Sequence, residues 1–149
     1  MSAETHVLFH GQLPSKDAIQ RALQELDFPF AFADMTAPLE TQSGFMPMRF
    51  REEDTGVEFD LWDGRDAVED VWQHEEELDP AIDRCAAFRW GGNFTEAVAG
   101  MCTAAALAKL VNGVVQDEYE EDPLDAEGAI RIARENLAVL LQERGFAEA

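Results

Sequence analysis

Residues 93–113 read NFTEAVAGMCTAAALAKLVNG, and this composition is typical of an α-helix that protein surrounds on nearly every side. A helix that is apolar around almost its whole circumference belongs in the interior of a domain. Its six alanines and Gly100 keep its surface thin, so that neighbouring elements can approach closely. The strongly polar side chains between residues 95 and 111 are Glu96, Thr103 and Lys109. We therefore predict a buried, alanine-rich central helix.

Both ends of this helix carry capping residues. Asn93 is a suitable N-cap, and Glu96 follows it at the spacing of a capping box. At the other end, Asn112 and Gly113 tolerate the left-handed conformation with which many helices finish. The pattern predicts a helix bounded by these residues.

Hydrophobic periodicity predicts four helices and several strands in the whole chain. The predicted strands cover residues 5–10, 28–34, 45–51, 55–62, 83–90 and 114–115. The predicted helices start after Ser15, cover 65–74, run through the central stretch, and extend from Asp125 to near Gly145. In the first strand, His6, Leu8 and His10 share the outer face. These elements predict one α+β domain over residues 1–149, with an antiparallel hairpin in its sheet and about four helices packed on it.

The hairpin is predicted to turn at residues 52–54, with Gly56 easing the turn. In that register Arg51 lies opposite Gly56, and Arg49 opposite Glu58. One face then carries apolar side chains for the core: Met46, Met48, Phe50, Val57, Phe59 and Leu61. The other face carries Arg49, Arg51, Glu58, Asp60 and Trp62.

Net charge is the strongest global property of this chain, at −20 over 149 residues. Such a charge is repelled by the phosphates of nucleic acid and by anionic membranes, so neither is expected as a partner. It favours fast, salt-sensitive association with a basic protein. Solubility, or adaptation to a salty interior, would explain the same charge.

The location predicted from the sequence is the cytoplasm. Cys85 and Cys102 are the two cysteines, and a pair of them suggests buried thiols in a reducing compartment. The first residues, MSAETHVLFHG, lack the basic and apolar regions of a secretory leader. Even the central helix carries Glu96 and Lys109, so no membrane span is predicted.

Motifs for catalysis and for metal binding are missing from the sequence. His74-Glu75 begins like a zinc-protease helix, but Leu78 stands where the second histidine is required. His6 and His10 are about 13 Å apart on a strand, too far for one ion. No serine has the context of a nucleophile elbow. We predict no catalytic residue, no metal and no cofactor, and favour a non-enzymatic protein over an enzyme of unfamiliar type.

The segment from Phe88 to Ala133 resembles small bacterial proteins among which immunity proteins of toxin systems are common. The similarity lies in the order strand, Gly-Gly, alanine-rich helix, Val-Val strand, acidic loop and Asp-capped helix. It covers about a third of the chain. The resemblance implies a protein that binds and neutralises a cognate toxin, and it assigns no particular residue a role.

An acidic run after the Val-Val strand is the predicted contact site for a basic partner. It places one aromatic side chain among charges, as at many interface anchors. Its residues are Asp117, Glu118, Tyr119, Glu120, Glu121 and Asp122. A solvated loop without a partner would have the same composition.

Two further surfaces stay open as alternatives. Arginines on the sheet, together with an aromatic ring, could receive a small anionic ligand or serve an unrecognised enzyme; they are Arg49, Arg51, Arg89 and Trp62. The arginines could equally pair with nearby carboxylates. On the last helix, Ile132 and Val139 lie opposite the buried stripe, either as isolated surface residues or as the contact of a homodimer.

Overall fold

The computed structural model describes residues 3–145 and has an α+β fold, as the sequence predicts. The strands are β1 (Ala3–Phe9), β2 (Phe30–Phe32), β3 (Gly44–Phe50), β4 (Glu53–Asp63), β5 (Arg84–Trp90) and β6 (Val114–Asp117). The helices are α1 (Lys16–Glu25), α2 (Arg65–Val71), α3 (Phe94–Val111) and α4 (Ala126–Glu143), and a short 3-10 turn covers Leu39–Thr41. The strands form one sheet in the order β2-β3-β4-β5-β1-β6, with every neighbouring pair antiparallel.

Helix α3 is the predicted central helix, with the predicted caps. The Asn93 side chain accepts a hydrogen bond from the Glu96 N–H at 3.0 Å. At the other end Asn112 adopts the left-handed conformation, with φ 52°. Twelve of its 18 residues are buried. The helix therefore acts as the centre of the core.

By length and composition alone, α3 is apolar enough to cross a membrane, so the presence of Glu96 and Lys109 does not by itself exclude a span. However, 67% of the helix is buried inside the protein. Burial of this kind is typical of the core helix of a soluble protein.

Helices cover the two faces of the sheet unequally. On one face, α3 packs across the strands with α1 and α4 beside it, and the larger core lies between them. On the other face, α2 and the loop after it cover a smaller core made of Leu8, Val68, Leu78, Ile82 and Cys85. The sheet is therefore covered on both sides near β1 and β5.

The register predicted for the β3–β4 hairpin was wrong. Arg49 lies opposite Asp54, and Gly56 lies opposite Pro47 instead of near the turn. The chain turns earlier, because Arg51 adopts a left-handed φ of 57° that its residue type does not signal. The shift is an even number of residues, so each side chain keeps its predicted face. Met46, Met48, Phe50, Val57 and Phe59 are buried as expected.

The face of β1 that the sequence assigned to the outside is covered by protein. The predicted alternation is correct, but His6 is only 7% exposed and Leu8 is fully buried. Helix α2 ends at Val71, short of the predicted His74, and the extended chain after it folds over the sheet. This covering layer forms one wall of the cavity described next.

Candidate functional site

The predicted acidic contact run is divided by the end of β6. Asp117 is the last residue of that strand and is 6% exposed, whereas residues 118–122 are exposed. The Glu118 N–H donates to the Glu4 carbonyl at 3.3 Å, which holds the start of the loop against β1. The run therefore stands beside the edge of the sheet as a wall between two cavities.

One of these cavities, which we call the His6 cavity, has a volume of about 260 Å³. It lies between the β1–β6 edge, the acidic run and the chain that follows α2. Its lining is polar: Glu4, His6, Gln73, His74, Gln116, Asp117, Glu118, Glu120 and Glu121. None of these residues is a lysine or an arginine, so the cavity has the sign of charge that attracts cations.

His6 lies at the inner side of this cavity. Its side chain is 9% exposed, and its Nε2 atom has no hydrogen-bond partner among the described residues. The nearest carboxylate oxygen, Glu4 Oε2, is 3.6 Å away, beyond ordinary hydrogen-bond distance. The ring of Trp62 lies 6.0 Å from the imidazole, centroid to centroid.

The charge state of His6 follows from this burial. Desolvation lowers the pKa of the imidazole below 6.5, and the nearby Arg89 acts in the same direction. Glu4 and Glu118 oppose the shift, because a carboxylate favours the protonated ring. The net direction is downward, so the ring is neutral at pH 7 and one of its nitrogens is an acceptor.

Within residues 3–145, Glu4 is the one carboxylate of the cavity that pairs with an arginine or a lysine. Its Oε1 accepts a hydrogen bond from Arg89 Nε at 2.7 Å, across the paired strands β1 and β5. The Glu4 N–H in turn donates to Glu118 Oε2 at 3.2 Å. Glu120 and Glu121 have no arginine or lysine within salt-bridge distance among the described pairs, and they carry the unbalanced charge of the rim.

Gln116 forms hydrogen bonds to the chain at the end of α2, on the side of the cavity opposite the acidic run. It lies directly opposite His6 in the β1–β6 pairing, so both side chains reach the same face of the sheet. Its Oε1 accepts from the Gln73 N–H at 2.9 Å, and its Nε2 donates to the Val71 carbonyl. These two bonds attach the end of α2 to β6 beside His6.

The second cavity, the Trp90 cavity, has a volume of about 450 Å³ and lies on the opposite side of the acidic run. Its walls come from the end of β5, the start of α3 and the outer side of α4. The lining combines aromatic, aliphatic and amide groups: Ala3, Trp90, Gly91, Gly92, Asn93, Phe94, Ala97, Met101, Asp117, Tyr119, Glu120, Ile132 and Asn136.

Asp117 borders both cavities. Its Oδ1 accepts a hydrogen bond from the Thr5 hydroxyl at 3.0 Å, on the neighbouring strand. Burial raises the pKa of this carboxyl above 3.8, and the hydrogen bonds from Thr5 and Tyr119 limit the rise. Asp117 is therefore a buried acid at the base of the run, distinct from the exposed glutamates that follow it.

The predicted arginine-bearing face does not gather into one site. Arg49 lies at the hairpin end, 3.9 Å from Asp54, and donates to the Glu52 carbonyl. Arg51 lies in the turn near the ring of Phe50, whereas Arg89 is two strands away and bonded to Glu4. Trp62 contacts His6 instead of an arginine. Binding of an anion to this face stays a hypothesis.

The two apolar residues singled out on α4 differ in exposure. Ile132 is half-buried and lines the Trp90 cavity, whereas Val139 is 48% exposed. A homodimer through this pair remains a prediction.

Cysteine chemistry and metal binding have little structural basis here. Both cysteines are buried, as predicted. Burial raises the pKa of the Cys85 thiol to about 12 and that of Cys102 further, so neither is a ready nucleophile. Within residues 3–145, no group of three or more His, Cys, Asp or Glu side chains could hold a metal ion.

The sequence predicts the acidic run but not the cavity behind it. In the sequence pattern, His6 stands out only by its spacing from His10, and Gln116 has no distinguishing feature. The two residues are 110 positions apart in the chain, and only the β1–β6 pairing brings them together. A histidine within a predicted strand was the one available signal.

Comparison of this chain with protein-family models, with curated proteins and with solved structures gives no match.

Proposed function

We propose that this protein is a non-enzymatic, cytoplasmic binding protein that captures a basic protein partner, in the manner of an immunity or inhibitor protein. The observation that supports this proposal is the His6 cavity, a concave site bordered by four glutamates and by no lysine or arginine. The exposed acidic run forms the rim that a partner meets first.

The electrostatics of the chain suit such a role. A net charge of −20 repels the phosphates of nucleic acid but attracts a basic protein over about one Debye length, ~8 Å at physiological salt. A concave acidic site strengthens that attraction locally. Tyr119, which is 62% exposed within the run, offers an aromatic anchor of the kind found at interface hot spots.

Affinity capture with charge-matched variants tests this proposal. The site variant carries Glu118→Gln, Glu120→Gln and Glu121→Gln, and the control carries Glu25→Gln, Glu127→Gln and Glu143→Gln on exposed helix positions. Both lose three negative charges. We expect the parent and the control to retain the same basic protein from a native lysate at low salt, and the site variant to lose it. Equal retention by all three proteins would contradict the proposal.

A further inference from the structure

The indole of Trp90 is buried in the protein, yet its N–H group remains open to solvent. Trp90 is only 4% exposed, and its Nε1 atom donates no hydrogen bond to any residue of the range 3–145. Within that range, the polar side-chain atoms that are both fully shielded and unpaired are His6 Nε2 and Thr55 Oγ1, so Trp90 Nε1 is accessible. A buried indole N–H usually finds a hydrogen-bond partner. The open donor therefore points to a ligand.

Packing fixes the direction of this N–H group. A Cβ atom on Gly100 of α3 would lie 2.7 Å from Trp90 Cε3 and 2.8 Å from Cζ3, with Val57 of β4 at 3.1 Å. Nε1 is on the opposite edge of the indole, away from β4. The strands on that side of β5 are β1 and β6, whose Ala3 and Asp117 line the Trp90 cavity. The N–H group is therefore directed toward the cavity.

Most of the remaining surface of the Trp90 cavity is apolar. Phe94 and Met101 on α3 are half-buried and pack against the core, and Ile132 on α4 lines the same space. The volume of about 450 Å³ lies in the range of small-molecule sites, which combine apolar walls with a few placed polar groups. The cavity therefore has room for an aromatic or branched aliphatic group.

Hydrogen-bond acceptors on the other walls determine the charge of the ligand. Glu120 is exposed and has no arginine or lysine within salt-bridge distance among the described pairs. Asn136 Nδ2 donates to the Ile132 carbonyl at 2.9 Å, which leaves its Oδ1 as an acceptor. None of the residues lining the cavity is a lysine or an arginine. An ammonium group matches these acceptors, and its charge is the one that a protein of net charge −20 attracts.

We propose that the Trp90 cavity is a binding site for a small organic amine that carries an apolar body and a carbonyl group. The carbonyl oxygen accepts from Trp90 Nε1, and the apolar body lies against Phe94 and Met101. The ammonium group lies at the opposite wall, beside Glu120. This site is separate from the His6 cavity and goes beyond the proposed function, because it requires no protein partner.

Three probes that differ by one group each test this site in the intact protein. Phenylalaninamide has all three parts, phenethylamine lacks the carbonyl, and N-acetylphenylalaninamide lacks the charge. The readout is the indole N–H resonances of Trp62, Trp72 and Trp90 by NMR at pH 6.5, below the ordinary pKa of an α-amino group. Trp72 is an internal control, since its Nε1 already donates to the Glu76 carbonyl at 2.9 Å.

We expect phenylalaninamide to shift the Trp90 resonance saturably and to leave that of Trp72 in place. Phenethylamine should bind about fivefold more weakly, because it forms no hydrogen bond with the indole. N-acetylphenylalaninamide should bind at least about tenfold more weakly, because it loses a charge-assisted contact.

Tryptophan variants separate the N–H group from the packing of the ring. Trp90→Phe keeps an aromatic side chain but removes the donor, and Trp72→Phe is the matched control. By calorimetric titration, we expect Trp90→Phe to bind phenylalaninamide and phenethylamine equally, whereas Trp72→Phe keeps the preference of the parent. Should Trp90→Phe fail to fold, the comparison of the three probes in the parent protein decides.

The results that overturn this inference are distinct from those that overturn partner capture. An unshifted Trp90 resonance, or equal affinity for the three probes, overturns the amine site whether or not a basic protein is retained. A preference for phenylalaninamide that survives in folded Trp90→Phe overturns it as well, since the indole N–H would then not contact the ligand. Donor-dependent, saturable binding supports the site even if no protein is captured.

Discussion

At the scale of single residues, the main feature is a pair of buried titratable groups on neighbouring strands. Burial lowers the pKa of the His6 imidazole and raises the pKa of the Asp117 carboxyl. Each therefore opposes folding over part of the pH range, which is unusual for side chains serving only to stabilise a core. Both side chains line the His6 cavity.

The pKa of His6 predicts a loss of stability in mild acid. Its folded-state pKa lies below the ordinary 6.5, so the unfolded chain takes up the proton first as pH falls. The contribution of the neutral His6 imidazole to stability is full above pH 6.5 and is lost as the pH falls through the folded-state pKa. We expect the parent to lose more free energy of unfolding than His6→Leu as the pH falls from 7.5 to 5. A difference that does not change with pH, in urea titrations, would contradict this.

The raised pKa of Asp117 predicts a trend of the opposite sign at lower pH, namely a loss of stability as the pH rises. Its folded-state pKa lies above 3.8, so the unfolded chain releases the proton first as pH rises. The contribution of the protonated acid is full below pH 3.8 and is lost as pH rises through the folded-state pKa. We expect Asp117→Asn to gain stability relative to the parent across that interval, measured by urea unfolding. A relative loss with rising pH would show that the carboxylate is stabilising.

At the scale of elements, α3 was predictable because its signals are local. Its composition, the Asn93 cap and the Asn112 termination lie within one stretch of chain. The hairpin register was not predictable, because the turn depends on Arg51 in a left-handed conformation and carries no glycine, asparagine or proline. The burial of His6 could not be predicted from the sequence either, since it depends on how the residues after Val71 fold over a distant strand.

Close contact between α3 and the sheet depends on Gly100. A Cβ atom there would lie 2.7 Å from Trp90 Cε3 and 3.1 Å from Val57 Cγ2. We expect Gly100→Val to lower the free energy of unfolding by about 1–3 kcal/mol through overpacking. Gly91→Val is the control, since a Cβ at Gly91 meets nothing within 4 Å. Equal effects of the two substitutions in thermal or urea unfolding would contradict the close packing.

Arg84 links three separate parts of the chain. It donates to Asp63 at 2.6 Å, to the Gly11 carbonyl at 3.0 Å, and to Glu40. Its side chain is 15% exposed, although both carboxylates are more than half exposed, which limits the energy through solvent screening.

We expect Arg84→Met to lower the free energy of unfolding by about 1–2 kcal/mol, because it loses several charge-assisted hydrogen bonds. Arg131→Met removes the same charge from an exposed pair with Glu135 at 4.0 Å and is expected to cost less than about 0.5 kcal/mol. The measurement is urea unfolding at pH 7. Similar losses for both variants would mean that Arg84 acts only through net charge.

At the scale of the whole molecule, composition predicted the acidic character and hydrophobic periodicity predicted the α+β class, but neither predicted the His6 cavity. The charge of −20 comes from acidic residues throughout the chain, and although Tyr119 marks the acidic run, nothing in the sequence places that run beside a histidine. The sheet order does so, because it sets β6 beside β1 and brings Glu118, Glu120 and Glu121 around His6.

Electrostatic capture is tested most directly by the association rate of the captured partner with the parent, the site variant and the charge-matched control. Electrostatic capture predicts a rate that falls about tenfold or more as ionic strength rises from low to physiological values. It also predicts a slower rate for the site variant than for the control at low salt. Rates that are insensitive to salt, or equal for the two variants, would contradict capture through the His6 cavity.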